Sequence, residues 1–275
     1  MRLLLTNDDG IHSPGLTAVY EHLSPHWDVT VVAPASDQSG VGRSRSDLSY
    51  ERADAIEISD HEWGYAVDGT PADCVAVGLR HIPDADEIDL VVSGANNGPN
   101  VGSYILGHSG TVGAAVEAAF LGTPAVAVSG YDHETYFPED GDSSFDAIGA
   151  ATRDLLALLE DTAVFDGDVD YLNVNIPATE TDTIAVTKPL ADYDTRVVDG
   201  ERTTFESNYW ATHPVEGDGF PIGLDGYEDE YPAWSDRAAI VDREISVTPL
   251  GTPQSVVDPP SDVVAALDRY PIERS

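Results

Sequence analysis

The sequence predicts an α/β protein organised around a largely parallel, doubly wound sheet. Three observations carry that reading: short apolar runs rich in Val and Leu recur through residues 1–178, helical stretches separate them, and the runs open into polar, glycine-containing loops. Strands buried on both faces read as continuous apolar runs, and helices between them are the crossovers of parallel neighbours. In chain order, Arg2–Thr6 is the first strand, Pro14–Leu23 a helix, and Asp28–Pro34, DVTVVAP, the second strand. A polar loop covers Ala35–Ser46, and Tyr50–Ile58 with Trp63–Val67 suggest a hairpin. Thr70 caps a helix, PADCVAVGLRHI, that carries proline at its first position. Asp89–Val92 is a short buried strand ending in SGANNGPNVG, Thr111–Leu121 a helix of small residues, Pro124–Ser129 a strand, and Phe145–Leu159 a helix. After about Ala178 the texture changes to scattered aromatics, turn formers and acidic patches, with strands expected at Ile184–Thr187 and Ile240–Thr248 and a short helix near Asp262–Asp268. The expected organisation is a core over residues 1–178 and a C-terminal β arm and tail over 179–275. Such arms pack against other subunits.

Charge is the second distinctive feature. The 275 residues include 50 Asp plus Glu against 13 Lys plus Arg, a formal net charge of -37, and Lys188 is the only lysine. Self-repulsion of that size opposes a compact state in dilute buffer. At molar salt the Debye length falls to about 3 Å and most of the repulsion is screened. The acidity therefore reads as adaptation to a salt-rich cytosol, and 41% hydrophobic residues argue against a disordered acidic chain. Duplex nucleic acid is excluded as a partner, because binding it needs a basic face. Cys74 alone forms no disulfide framework, and no apolar run reaches membrane-spanning length, so a cytoplasmic, soluble protein is expected.

The chemistry gathers where strands end. The first strand runs straight into Asp8, Asp9 and Gly10, and in open α/β sheets ligands bind beyond the carboxyl ends of the strands. Vicinal carboxylates there suit a hard divalent ion such as Mg²⁺ or Mn²⁺, although they also suit a turn capping the helix at Pro14. Loops after two further strands present Ser39-Gly40 and Ser93, Asn96 and Asn97, whose oxygens can complete such a site. His108-Ser109-Gly110-Thr111 leads into VGAAVEAA, a helix whose open N-terminus suits phosphate and whose Ser109 or Thr111 equally suits a simple N-cap. Arg43 and Arg45 are candidates to touch substrate, and His12, His108 and His213 to act as acids or bases.

These motifs resemble the SurE (survival protein E) nucleotidases. The likeness lies in TNDDGIHSPGL at 6–16, VVAP followed by SG at 39–40, GTPADCV at 69–75, SGANNGPN at 93–100 and HSGTVGAAVEA at 108–118, and continues through LNVNIP at 172–177, the YW pair at 209–210 and SVTPL at 246–250. With the acidic surface, it points to a halophilic, haloarchaeal-type member. The resemblance implies a Rossmann-like three-layer α/β/α sandwich with a C-terminal β-rich arm that builds dimers or tetramers. It implies one divalent metal ion per subunit, Mg²⁺ or Mn²⁺, held by Asp8, Asp9, Ser39 and Asn96, with Ser109, Gly110 and Thr111 facing phosphate. The implied reaction is hydrolysis of nucleoside monophosphates to nucleoside and phosphate, with side activity on 3′-nucleotides or short polyphosphate. The sequence departs from the usual family pattern at Ala95, where isoleucine is common, and at His108, where tyrosine is frequent.

In the resulting mechanism Asp8 and Asp9 are the catalytic carboxylates, anchoring the ion while one of them orients the attacking water. Aspartyl-phosphate chemistry through Asp9 is the alternative route. Two other classes share parts of this pattern: a receiver-like regulator, for which Lys188 is the only available lysine, and a sugar-nucleotide glycosyltransferase, which normally needs a second α/β domain.

Overall fold

The computed structural model describes residues 1–46, 56–139, 142–160, 162–200, 202–210, 220–221 and 223–252. The expected strand residues at 50–55, His213 and the expected helix at 262–268 lie outside the described residues.

The first strand, β1 (Arg2–Thr6), is a run of Leu and Thr buried on both faces, so it can only sit inside a sheet. It pairs in parallel with β2 (Asp28–Pro34) on one side, Leu3 opposite Val29, and with β5 (Leu90–Asn97) on the other, Leu3 opposite Leu90. The chain thus leaves β1 in one direction and returns on its far side, which makes the β1/β5 junction a topological switch point with a crevice at its carboxyl end. The sheet continues from β2 through β4 (Gly64–Val67), parallel, to β3 (Ile58–His61), antiparallel. Beyond β5 it runs through β6 (Ala125–Tyr131) and β7 (Tyr171–Pro177), both parallel, to β11 (Ile245–Leu250), antiparallel to β7, and β8 (Ile184–Val186) at the edge.

Helices cover both faces, giving the expected three layers. Leu3 and Leu5 project into a cluster with Leu16, Val19 and Leu23 of α1 (Pro14–Leu23) and with Phe145, Ile148 and Leu155 of α5 (Asp142–Leu159). Leu4 projects the opposite way, against Cys74 and Val75 of α2 (Pro71–Arg80) and Val112, Ala115 and Ala118 of α4 (Gly110–Phe120). Each fully buried Leu contributes about 1.5–3 kcal/mol relative to exposure, so these two clusters carry the core. The helix starts follow their caps. The Ser13 hydroxyl accepts from Leu16 N–H, and Thr70 with Asp73 forms a complete capping box, each cap worth about 1 kcal/mol. Among the described residues no helix is long and apolar enough to cross a membrane.

Chain beyond residue 178 has two destinations. β8 and β11 extend the main sheet, whereas β9 (Asp194–Val198) and β10 (Thr204–Asn208) form a separate antiparallel ribbon. A third cluster gathers Tyr131, Tyr136, Trp210, Leu224 and Ile240. There the buried Arg237 guanidinium donates to Asp192 Oδ2 at 2.8 Å and to the Tyr209 carbonyl at 2.7 Å. The strand expected at Ile240–Thr248 is corrected: Ile240 and Val241 end a helix, α6 (Asp236–Val241), and the strand starts at Ile245. A short apolar run has no decisive period, and Ser235, accepting from Ala238 N–H at 3.1 Å, caps the helix instead.

Candidate functional site

The crevice at the β1/β5 switch point is built from four segments that meet in backbone and side-chain hydrogen bonds. The turn after β1 is held by Asn7, whose Nδ2 donates to the Gly10 carbonyl at 3.0 Å and to Ser13 Oγ at 2.8 Å, tying the turn to the cap of α1. Gly15 lets that helix approach closely, since a Cβ there would stand 2.0 Å from the Ala95 carbonyl oxygen of β5. Asp8 is 3% exposed and Asp9 half-buried. The main-chain carbonyl of Asp8 accepts from Gln38 N–H at 2.7 Å, which brings the Ser39 loop in, and Asp9 Oδ2 accepts from Asn97 N–H at 3.1 Å, which brings the Asn96 loop in.

The fourth segment is the start of α4. Thr111 Oγ1 donates to Asp8 Oδ1 at 2.5 Å, and Gly110 lies so close that a Cβ would stand 2.8 Å from Asp8 Cβ and Oδ2. Burial pushes the Asp8 carboxyl above the usual carboxylate range and Asp37 pushes the same way, while hydrogen bonds from the Thr111 side chain and backbone pull it back. No salt bridge joins Asp8 to a basic side chain among the described residues. The Ser109 hydroxyl caps α4 by accepting from Val112 N–H at 3.1 Å. Of the three residues expected to face phosphate, Ser109 and Thr111 therefore already use their hydroxyls within the protein, and α4's positive end is directed at Asp8.

Ser39 is exposed, and its N–H and hydroxyl donate to Asp37 Oδ1 at 2.8 and 2.6 Å, leaving the lone pairs of Oγ as acceptors. Asn96 donates through Nδ2 to the Gly98 carbonyl at 2.7 Å, so its Oδ1 is the amide's other, accepting end. The available donors are thus two carboxylates, a hydroxyl and an amide oxygen, an all-oxygen set suited to a hard divalent ion. No cluster of three or more His, Cys, Asp or Glu suited to a metal occurs among the described residues. Buried polar atoms without a hydrogen bond include Asn7 Oδ1, in the turn after β1, and Asn97 Oδ1, at the end of β5. Such atoms call for water or an ion, so the crevice fits a bound cation by its chemistry and by its orphaned oxygens.

These loops are held in place by Arg43 and Arg45, expected as candidates to touch substrate, and by residues that the sequence does not single out. Arg45 donates to Glu117 on α4 at 2.9 Å, with Arg43 3.6 Å from the same carboxylate. Ser46 donates through N–H and hydroxyl to buried Asp73 at 3.1 and 2.7 Å. Both arginines thus serve the protein's own acids. Asn100 is locked by β7, its N–H donating to Asn175 Oδ1 at 2.7 Å and its carbonyl accepting from Asn173 Nδ2 at 2.9 Å. These pairs span tens of residues and leave no local pattern to read. Of the candidate histidines, His108 ends α3 (Ser103–His108) and packs on Tyr104 with ring centroids 4.4 Å apart, and His12 lines a cavity of about 340 Å³ shared with Asp9 and Asn97. Lys188 is exposed beside α6, with its N–H bonded to the Trp234 carbonyl, on the edge of the sheet away from β1.

Known proteins resemble this chain along most of its length. A family model described as "Survival protein SurE" matches residues 3–196. The protein named 5′-nucleotidase SurE of Haloarcula marismortui is 44% identical over 262 residues, covering 92% of this chain and 89% of that protein. Its namesake from Methanocella arvoryzae is 37% identical over 90% of this chain and 91% of its own length. A crystal structure of the SurE protein from Aquifex aeolicus matches with a TM-score of 0.69 at 32% identity, covering 98% of this chain and 99% of that one.

Proposed function

The chain belongs to the SurE family, and from that premise we propose that it is a phosphoric monoester hydrolase, a 5′-nucleotidase that releases phosphate from nucleoside monophosphates with the help of one divalent ion. The observation that carries the reading is the Asp8-Asp9 pair at the switch point, with Asp8 held against the N-terminus of α4 and Asp9 against the Asn96-Asn97 loop. Asp8, Asp9, Ser39 and Asn96 would hold Mg²⁺ or Mn²⁺. When bound, the ion supplies positive charge that polarises a phosphoryl oxygen and activates water.

The chain's own residues do the rest. Asp8 is the fixed anchor, its carboxylate clamped by Thr111. Asp9 orients the attacking water. The Gly110 N–H and the dipole of α4 offset the charge that grows on the phosphoryl group, while Ser109 caps that helix and Thr111 ties it to Asp8. The rival classes gain little support. Lys188 stands at the far side of the sheet from Asp8, where a receiver needs it near, and the described residues build one main sheet with no second α/β domain for a sugar nucleotide.

The reading extends to three finer points. The β9–β10 ribbon exposes Val197 (60%) and Phe205 (76%) as a cross-strand pair, which supports its use as an arm joining two or four subunits. The net charge of -37 supports work in a salt-rich cytosol. 3′-Nucleotides and short polyphosphate are the side substrates of this reading, which an open, all-oxygen centre supports. A panel of 5′- and 3′-nucleoside monophosphates, tripolyphosphate and a sugar nucleotide, assayed in molar KCl with Mg²⁺ or Mn²⁺, is the test. Phosphate release led by 5′-monophosphates is expected, and no release from any phosphomonoester defeats the proposal.

A further inference from the structure

Hydrolysis of a nucleoside monophosphate must solve a problem that the carboxylate centre does not: the leaving group is an alkoxide, a poor one unless it receives a proton as the ester bond breaks. The proton donor has to stand in the cavity beside Asp9. His12 follows the acidic turn directly, is exposed, and lines the same cavity of about 340 Å³ as Asp9, Asp37 and Asn97. Its ring makes no hydrogen bond within the described residues and meets only the edge of His61, centroid to centroid 5.4 Å. Three other described histidines are engaged elsewhere. His22 is bonded to Asp146 at 2.8 Å, His133 to the Val241 carbonyl at 3.0 Å, and His108 lies against Tyr104. His12 is held in place by its neighbours, Ser13 capping α1 and Asn7 bonded to Ser13.

We propose that His12 is the general acid of the reaction, which rests on the phosphatase reading above. Water oxygen forms the new bond to phosphorus, the P–O5′ bond breaks with its electron pair passing to O5′, and the His12 imidazolium gives O5′ its proton. The neutral imidazole then recovers a proton from solvent, replacing the one shed by the attacking water, so one water is consumed and nucleoside and phosphate leave. Asp9 and Asp37 across this cavity, Glu21 and Asp146 across the adjoining cavity, and the His61 ring are the titratable groups that face it.

The leaving group provides the test. p-Nitrophenolate departs without a proton, whereas the 5′-oxygen of AMP needs one. For His12→Gln in molar KCl with Mn²⁺, kcat on AMP is expected to fall by about 10²–10⁴-fold, the usual range for general acid catalysis, and kcat on p-nitrophenyl phosphate by far less. The alkaline limb of the AMP pH–rate profile should disappear. Mn²⁺ affinity and the urea midpoint, measured on the same variant, check that the centre and the fold are intact. Equal losses on both esters, or no loss on AMP, overturn the assignment. A wild-type protein inactive on both esters instead overturns the phosphatase reading and takes the assignment with it.

Discussion

Thr111→Val isolates the contact between α4 and the acidic turn. Valine matches threonine in shape, so the buried site stays filled, and the change removes one hydroxyl that donates to Asp8 Oδ1 at 2.5 Å. A hydrogen bond to a charged group is worth about 1.5–3 kcal/mol, and about 1.4 kcal/mol is a factor of ten in affinity. The loss falls on the charged form of Asp8, which burial already disfavours. Its carboxyl therefore moves further up, and the site holds a cation less tightly. Mn²⁺ affinity at neutral pH is expected to drop by about 10–100-fold. Thr111→Ser, which keeps the hydroxyl, should recover most of the affinity. Calorimetric titration of Mn²⁺ into the three proteins at several pH values measures this. Equal affinity in the valine variant and the wild type at every pH would refute the idea that Thr111 sustains a cation-binding carboxylate.

Three further outcomes are expected. Gly110→Ala places a Cβ 2.8 Å from Asp8 Cβ and Oδ2, so it should cost about 1–3 kcal/mol in urea unfolding and most of the phosphatase turnover; an unperturbed variant contradicts the packing described. Asp236 accepts from Gly102 N–H at 2.6 Å, and burial raises its carboxyl from 3.8 to about 6. The folded protein therefore binds that proton more tightly than the unfolded chain, and the contribution of Asp236 is greatest below the unfolded value and declines as pH rises through about 6, by about 3 kcal/mol in all. The stability difference between wild type and Asp236→Asn should follow that curve, and a difference flat across this window contradicts it. Melting temperature should climb steeply with KCl up to molar concentrations as the charge of -37 is screened, and a melting temperature indifferent to salt argues against adaptation to brine.

Much of this architecture is legible in the residues because local signals agree. β1, α1 and β2 have the bounds expected of them, since apolar runs there are punctuated by Ser13, Pro14 and the turn before Asp28. Disagreement begins where polarity and structure part. β5 runs past Val92 to Asn97 through serine, glycine and asparagine, because β6 pairs with both ends of the stretch across a register shift between Ser93 and Asn96. β7 carries Asn173 and Asn175 in its buried face, where they anchor Asn100 rather than add to an apolar pattern. At the candidate site the acidic pair and the start of α4 stand out as motifs, but their mutual contact does not. Thr111 and Asp8 are 103 residues apart, and Arg45 and Glu117 are 72 apart. Such pairings are set by sheet order, which local composition does not encode. Asp37 is the exception: it sits two residues before Ser39, and its turn-forming carboxylate was open to inference.

The central claim is that the Asp8-Asp9 crevice hydrolyses nucleoside monophosphates through a cation it holds. Phosphate release from AMP in molar KCl, measured on chelator-stripped protein before and after Mn²⁺ is restored, with Asp9→Asn alongside, addresses it most directly. No release is expected from the stripped protein, full recovery with Mn²⁺, and little from Asp9→Asn even with Mn²⁺ present. Release that ignores both the chelator and the substitution would contradict it.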